Sequence, residues 1–292
     1  MRKIGIIEVV LSGICFGFLG YFGKKAFEFH ILPGELLALR YSIAAFIVLF
    51  YLLLRNRKQI IINLNDTIIS ILLGVLGYAV FSSMFFYALT GLSASLTVLL
   101  LYTYPIIVTI LSHFILKEEF TKLKSIALVL VSIGMYLLVS GEWKIDGAKY
   151  FISGLGAALF YSFYIIYSRK YLERVPAFTS SLYVQIGAGS VLSLIYFQDV
   201  NRPIFLLQNH FWFLFAMAFV CSFLAMSLFL AGLQKINSSE TSILSTTEPI
   251  SGVIIAYFLL GEKLSGMQLI GAVLILIGLI TVGMNQTEQK GN

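Results

Sequence analysis

The residue that most needs an explanation is Glu248. It stands beside Pro249 in ETSILSTTEPISGVIIAYFLLGE, an otherwise oily run from Glu240 to Glu262. A carboxylate at the depth of a bilayer costs at least about 2.5 kcal/mol, and water, a cation or a proton must compensate it. Glu248 lies about ten residues into its run, roughly 15 Å at 1.5 Å per residue, which is close to the midplane of a membrane. Pro249 removes a backbone donor and clashes with the preceding turn, so the helix should kink there and leave carbonyls free. On a helix, Thr241, Ser245, Glu248 and Gly252 share one face. That face reads either as the wall of a solvated cavity or as one side of a fixed structural ion pair.

A second proline-centred stretch, LYTYPIIVTILSHFILKEEF, carries Tyr102, Tyr104, Pro105, Thr109 and His113. A charge on one stretch and phenols on the other suit an amphiphilic solute with a charged group and an apolar body. Tyr78, Tyr161 and Tyr164 are further candidates for such a wall, since their hydroxyls would be wasted against lipid and aromatic surfaces suit a metabolite's apolar part. Arg40, in LALRYS, either pairs with Glu248 across the molecule or holds carbonyls at a helix end. Glu8, in IIEVVLSG, is about 6 Å into its run and close to Arg2 and Lys3. It is either a snorkelling, partly solvated acid or a proton site at a cytoplasmic mouth. His113 falls near the end of its run, where an interhelical hydrogen bond is the simpler role. Gly13 and Gly17 have small-xxx-small spacing and mark close helix packing, as do Gly74 and Gly77. Ser265 and Gln268 form a capping box at the start of the last run.

These residues must be positioned by membrane-spanning helices. Of 292 residues, 59% are hydrophobic and 12% charged, with mean hydropathy +0.93, where a soluble domain would be about a quarter charged. Apolar runs near the length of a bilayer core recur from end to end. They predict ten spans, at about 4–26, 34–54, 67–89, 93–116, 122–140, 150–169, 177–197, 209–232, 238–260 and 265–284. The division between spans three and four is the weakest, resting on Thr90, Gly91 and Leu92. The first run is longer than a signal-peptide core and has no small-x-small cleavage site, so it reads as a retained helix.

Net charge +6 is a topology signal and does not point to nucleic acid. With the N-terminus in the cytoplasm, thirteen lysines and arginines fall on the inner side, Lys290 among them, and six on the outer, including Lys144. The positive-inside rule then places both termini in the cytoplasm of a cell membrane, the inner membrane of a bacterium. Cys15 and Cys221 both lie within spans, which argues against disulfides or a thiol metal site. No GxxxxGK[ST], HExxH or DxxD motif occurs, and the histidines are scattered at 30, 113 and 210. An integral-membrane enzyme acting on lipid would need such groups at one depth. No cofactor or metal is expected.

The chain also repeats itself. A shift of 144 residues lays Pro105 on Pro249, Phe114 on Phe258, Glu118 on Glu262 and Gly134 on Gly278. Tyr104 then falls on Glu248. A shift of 145 lays Lys24-Lys25 on Arg169-Lys170 and Arg40 on Gln185. The expectation is an all-α integral membrane protein with ten helices in a 5+5 inverted-topology repeat: 1–145, 146–285 and a short cytoplasmic tail at 286–292. Five crossings per unit force the two copies to run in opposite senses. Such architectures place a substrate site near midplane between the halves.

This pattern resembles the ten-helix EamA-type members of the drug/metabolite transporter superfamily. The resemblance spans nearly the whole chain and rests on the repeat, Arg40 early in span two, the proline of spans four and nine, and the ends FILKEE and FLLGEK. Lys117 departs from the pattern where Gly261 follows it. The resemblance implies a secondary transporter, commonly an exporter of amino acids or other small metabolites, with no prosthetic group. It implies alternating access, with substrate between spans one, three, four, six, eight and nine and gates around Pro105 and Pro249. Because the family has an arginine at the place of Arg40 across different substrates, a structural role is favoured for it. The motif around Glu8 resembles the membrane glutamate of the four-helix small multidrug resistance relatives, which implies proton handling. Transport driven by protons and transport by a facilitator or exchanger both remain open, as do the oligomeric state (ten helices suffice to enclose a path in a monomer) and the substrate.

Overall fold

A computed structural model describes residues 1–139 and 145–284 of the chain. Lys144, Lys290 and the tail expected at 286–292 therefore lie outside the described residues. The described residues form ten helical rods and no strand beyond a single Leu92–Ile145 bridge. Spans one to four are Arg2–Glu28, Pro33–Arg55, Leu64–Leu89 and Ala94–Leu116. Span five is Lys122–Leu138. Spans six to nine are Ala148–Leu172, Ala177–Tyr196, Asn201–Leu233 and Ser238–Leu260, and span ten is Gly266–Met284. Nine of them are at least 18 residues long and apolar enough to cross a membrane. Span five has 17 residues, or about 25 Å of helix. The protein is an all-helical integral membrane protein.

Two boundaries differ from the sequence expectation for physical reasons. Span eight begins at Asn201 instead of 209, because Asp199 accepts a hydrogen bond from the Asn201 backbone N–H at 2.9 Å and Pro203 sits in the first turn. The added turns are set off by a kink at His210, whose φ is −130°. Between spans three and four the short connection is pinned from outside. The Asp146 N–H donates to the Gly91 carbonyl at 2.9 Å, and the Tyr150 ring packs where a Cβ on Gly91 would be. Gln268 and Ser265 complete the expected reciprocal cap at 2.9 and 3.2 Å.

The prolines break their helices outright. Span four divides into Ala94–Leu101 and Tyr104–Leu116, and span nine into Ser238–Leu244 and Thr247–Leu260. Each break lies on the N-terminal side of the proline, where its ring would meet the carbonyl four residues back. Nearby hydroxyls take up the turn carbonyls. Thr103 Oγ1 donates to Leu100 O at 2.7 Å, Thr246 Oγ1 to Ile243 O at 2.6 Å and Thr247 Oγ1 to Leu244 O at 2.8 Å. Spans three and eight carry a matched distortion that the sequence does not announce: π-helical turns at Leu73–Ala79 and Phe219–Leu224. The shift of 145 relates these two segments as well.

Contacts between the halves exchange under the same shift. Span one packs on spans eight and nine, and its counterpart, span six, packs on spans three and four. Spans five and ten pair with each other. There a Cβ on Gly134 would meet Ile275 and the Gly271 carbonyl, while one on Gly278 would meet Val131 and the Ala127 carbonyl. Subtracting 144 from Gly271, Ile275 and Gly278 returns Ala127, Val131 and Gly134. The two five-helix units are thus related by an axis through this crossing, and they interlock.

Candidate functional site

Both breaks, both halves and the buried charges meet at one cavity of about 530 Å3, within the size range of small-molecule sites. Glu248 supplies its acid, from the first turn of Thr247–Leu260. Tyr102, Tyr104, Tyr78 and Tyr161 supply phenols, and the Tyr102 phenol interacts with the Glu248 carboxylate. Tyr104 stands at the break of span four and is held by its hydroxyl, which donates to Ser242 O across the halves at 3.3 Å. The aromatic wall is continuous: Tyr104 meets Tyr161 edge-on at 4.8 Å, and Tyr78 meets Phe81 at 5.1 Å. Phe16, Phe85 and Phe86 extend it.

Arg40 lies in the same cavity at 5% exposure. Its guanidinium donates to the Tyr41 hydroxyl and lies 4.4 Å from the centre of that ring, and its Nε has no hydrogen-bond partner. A buried guanidinium with a spare donor and an acid thus line the same apolar-walled cavity. Span two, omitted from the expected lining, therefore contributes Leu36, Leu37 and Arg40.

The other expected positions separate into layers. Tyr164 is fully buried behind the wall, 4.7 Å from Tyr78, and does not reach the cavity. Ser245 donates to Thr241 O at 2.8 Å and is not among the lining residues, since the break at 245–246 ends the continuous polar face expected of span nine. Pro105 and Pro249 shape the breaks. Gly13 and Gly17 bring span one onto the break of span nine, where a Cβ on Gly13 would be 3.1 Å from Glu248 N and one on Gly17 2.6 Å from the Ser251 Cβ. His113 takes no neighbouring helix as partner, because its Nδ1 pairs with Glu118 O in its own connection at 3.0 Å.

Glu8 is not among the residues lining this cavity and sits in an ion pair that its neighbours in sequence do not suggest. Its carboxylate meets Lys235 Nζ at 2.5 and 2.6 Å, while Arg2 turns to Glu240 at 3.1 Å. These pairs belong to a seal across the end of the bundle that holds the N-terminus. Glu118 adds to it by accepting from the N–H groups of Ser238 and Ser239. Arg169 Nη1 donates to Leu233 O at 3.0 Å. At the opposite end the cavity runs out past Lys24 and Phe27. Glu8→Gln should leave Lys235 half-buried without its anion, costing about 1 kcal/mol. Efflux driven by a pH gradient checks its second role: an unchanged rate removes Glu8 as a proton site.

A family model described as the EamA-like transporter family matches residues 3–140 and again 148–284. The chain belongs to the EamA-like transporter family. Named relatives match most of its length. The uncharacterized transporter YyaM of Bacillus subtilis (strain 168) is 27% identical over 85% of this chain and 84% of that protein. A protein of Salmonella typhimurium named a probable amino-acid metabolite efflux pump is 26% identical over 94% of this chain and 92% of its own. One solved crystal structure superposes over 100% of both chains with a TM-score of 0.81 at 16% identity. That likeness speaks for the fold alone. Among the described residues no cluster of histidine, cysteine and acidic side chains could hold a metal ion.

The tyrosines and Glu248 were visible as anomalies in oily runs. The phenylalanines of the cavity wall, Met217 and the sealing residues Glu118, Lys235 and Glu240 were not. Nothing in their spacing separates a cavity phenylalanine from a lipid-facing one.

Proposed function

We propose that this transporter is an exporter of amino acids or other small zwitterionic metabolites, working by alternating access with its termini in the cytoplasm. The observation that carries this reading is a dead-end cavity at the junction of two repeats, open at one end and closed by ion pairs at the other. In the proposed orientation the open end faces outward. Glu248 offers a partner for a substrate ammonium, Arg40 one for a carboxylate, and the tyrosine and phenylalanine walls accept an apolar body. The efflux role named for the Salmonella relative supports the direction of transport.

Glu248 also gives protons a route into the cycle, because a carboxylate that alternates between two aqueous sides carries a proton when no cation replaces it. Proteoliposomes loaded with radiolabelled amino acids provide the test. Efflux of at least one of them above protein-free vesicles is expected, and acceleration by an inward pH gradient is expected of a proton-coupled exporter. Equal rates with and without the gradient point to a facilitator or exchanger. No flux of any amino acid overturns the substrate class.

A further inference from the structure

The seal at the termini end contains one contact with an unused mirror image at the open end. Span four ends at Lys117, whose φ of 57° turns the chain left-handed and directs the next residue, Glu118, across to the other half. There the Glu118 carboxylate accepts from Ser238 N at 2.7 Å, Ser239 N at 3.1 Å and Ser239 Oγ at 2.7 Å. It satisfies backbone donors that a helix leaves without partners in its first turn. Glu118 is thus a clasp between the end of span four and the start of span nine.

The shift of 144 residues maps every part of this clasp onto the open end. Lys117 maps to Gly261, which has the same left-handed turn at φ 68°. Glu118 maps to Glu262, and Ser238 and Ser239 map to Ala94 and Ser95, the first two residues of Ala94–Leu101. The acid, the turn that aims it, the helix start and the hydroxyl are all present, but the contact is not made. Glu262 is instead half-exposed beside Lys24, 3.2 Å away, at the cavity mouth. Lys24 itself maps to Arg169, by the shift of 145, on the closed side.

We propose that Glu262 is the clasp of the outer gate: when the cavity closes to the outside, its carboxylate leaves Lys24 and caps the start of span four at the N–H groups of Ala94 and Ser95 and the Ser95 hydroxyl. In the same movement Glu118 releases Ser238 and Ser239, and Arg169 becomes available to it as Lys24 is to Glu262 now. The two glutamates are positioning residues that act alternately and touch no substrate. The glutamate that follows FILK in one half and FLLG in the other thereby acquires a function that explains why each half has one. This inference rests on the alternating-access reading above.

The test uses the full chain with Cys15→Ser and Cys221→Ser, so that Ser82→Cys, a small buried side chain in the cavity wall, is the sole thiol. An impermeant methanethiosulfonate reagent applied outside intact cells reads how often the cavity is open outward. Ser95→Ala removes one clasp contact while leaving the Lys24–Glu262 pair, and it should raise the labelling rate about fivefold, the equilibrium shift of one lost cap. Glu262→Gln should raise it at least as much. The double variant should match Glu262→Gln alone, which a merely structural role would not produce. Glu118→Gln should lower labelling. If Glu118→Gln lowers labelling and neither Ser95→Ala nor Glu262→Gln raises it, the outer clasp is overturned while alternating access stands. If none of the variants changes labelling, both are overturned.

Discussion

Glu248→Gln should reduce transport by at least about tenfold, a change in transition-state free energy of about 1.4 kcal/mol. The reasoning is electrostatic. Arg40 is almost wholly buried, and the hydroxyl and ring of Tyr41 beside it do not cancel its charge. Removing the carboxylate leaves a net positive cavity in apolar surroundings, where a charge without compensation is costly. Such a cavity should repel ammonium groups and retain anions. The expected signature is a large rise in KM for zwitterions together with a gain of competition by simple carboxylates. Glu248→Asp should retain the charge and part of the activity. A pH titration of both proteins separates the acid's two uses. Loss of the pH dependence in Glu248→Gln assigns it the proton, whereas a raised KM with an intact pH profile assigns it the substrate amine. Wild-type kinetics in Glu248→Gln would remove the residue from the site altogether.

The second large effect is expected from a residue with no side chain. Gly17→Leu should abolish transport and lower the melting temperature of the detergent-solubilised protein. Even a methyl group at Gly17 would be 2.6 Å from the Ser251 Cβ and 2.9 Å from the Gly252 N. Overpacking of a rigid contact costs about 1–3 kcal/mol, and a leucine extends well beyond the methyl. Span one cannot retreat freely, because Gly5 holds its other end to Lys235 and Gly232 just as closely. The strain must therefore be relieved at the break of span nine, which moves Glu248. A tolerated Gly17→Leu with normal thermal stability would contradict the close packing. Gly266→Leu provides the control, since that position has open space around it and lies outside the cavity lining.

How much of this was legible in the sequence depends on what each residue has to overcome. Spans, repeat and pairing sense were visible because a bilayer demands long apolar runs and an odd-numbered duplication must invert. Glu248, Pro105 and Pro249 stood out because each is costly where it lies. The prolines do more than bend their helices. A kink was expected, and two breaks are found, because threonine hydroxyls stabilise the open turns. Sequence context leaves Arg40 open between a pair with Glu248 and a helix-end role, the family resemblance favours structure, and the residue stands in the cavity wall. The partner of Glu8 is 227 residues away and could not be read from local charge. The π-helical turns at Leu73–Ala79 and Phe219–Leu224 left no trace in composition, since neither contains a residue that forbids an ordinary helix.

The crossing of spans five and ten has a meaning of its own. Gly134 against Ile275 and Gly278 against Val131 are one contact made twice, with the partners exchanged. This is how the interface of a symmetric dimer is built, where residue i meets j and j meets i. A chain of ten helices thus carries, between its own two repeats, a seam with the two-fold form of a dimer interface. Unlike the subunits of a true homodimer, two copies within one chain are free to differ, and one places Tyr104 where the other places Glu248.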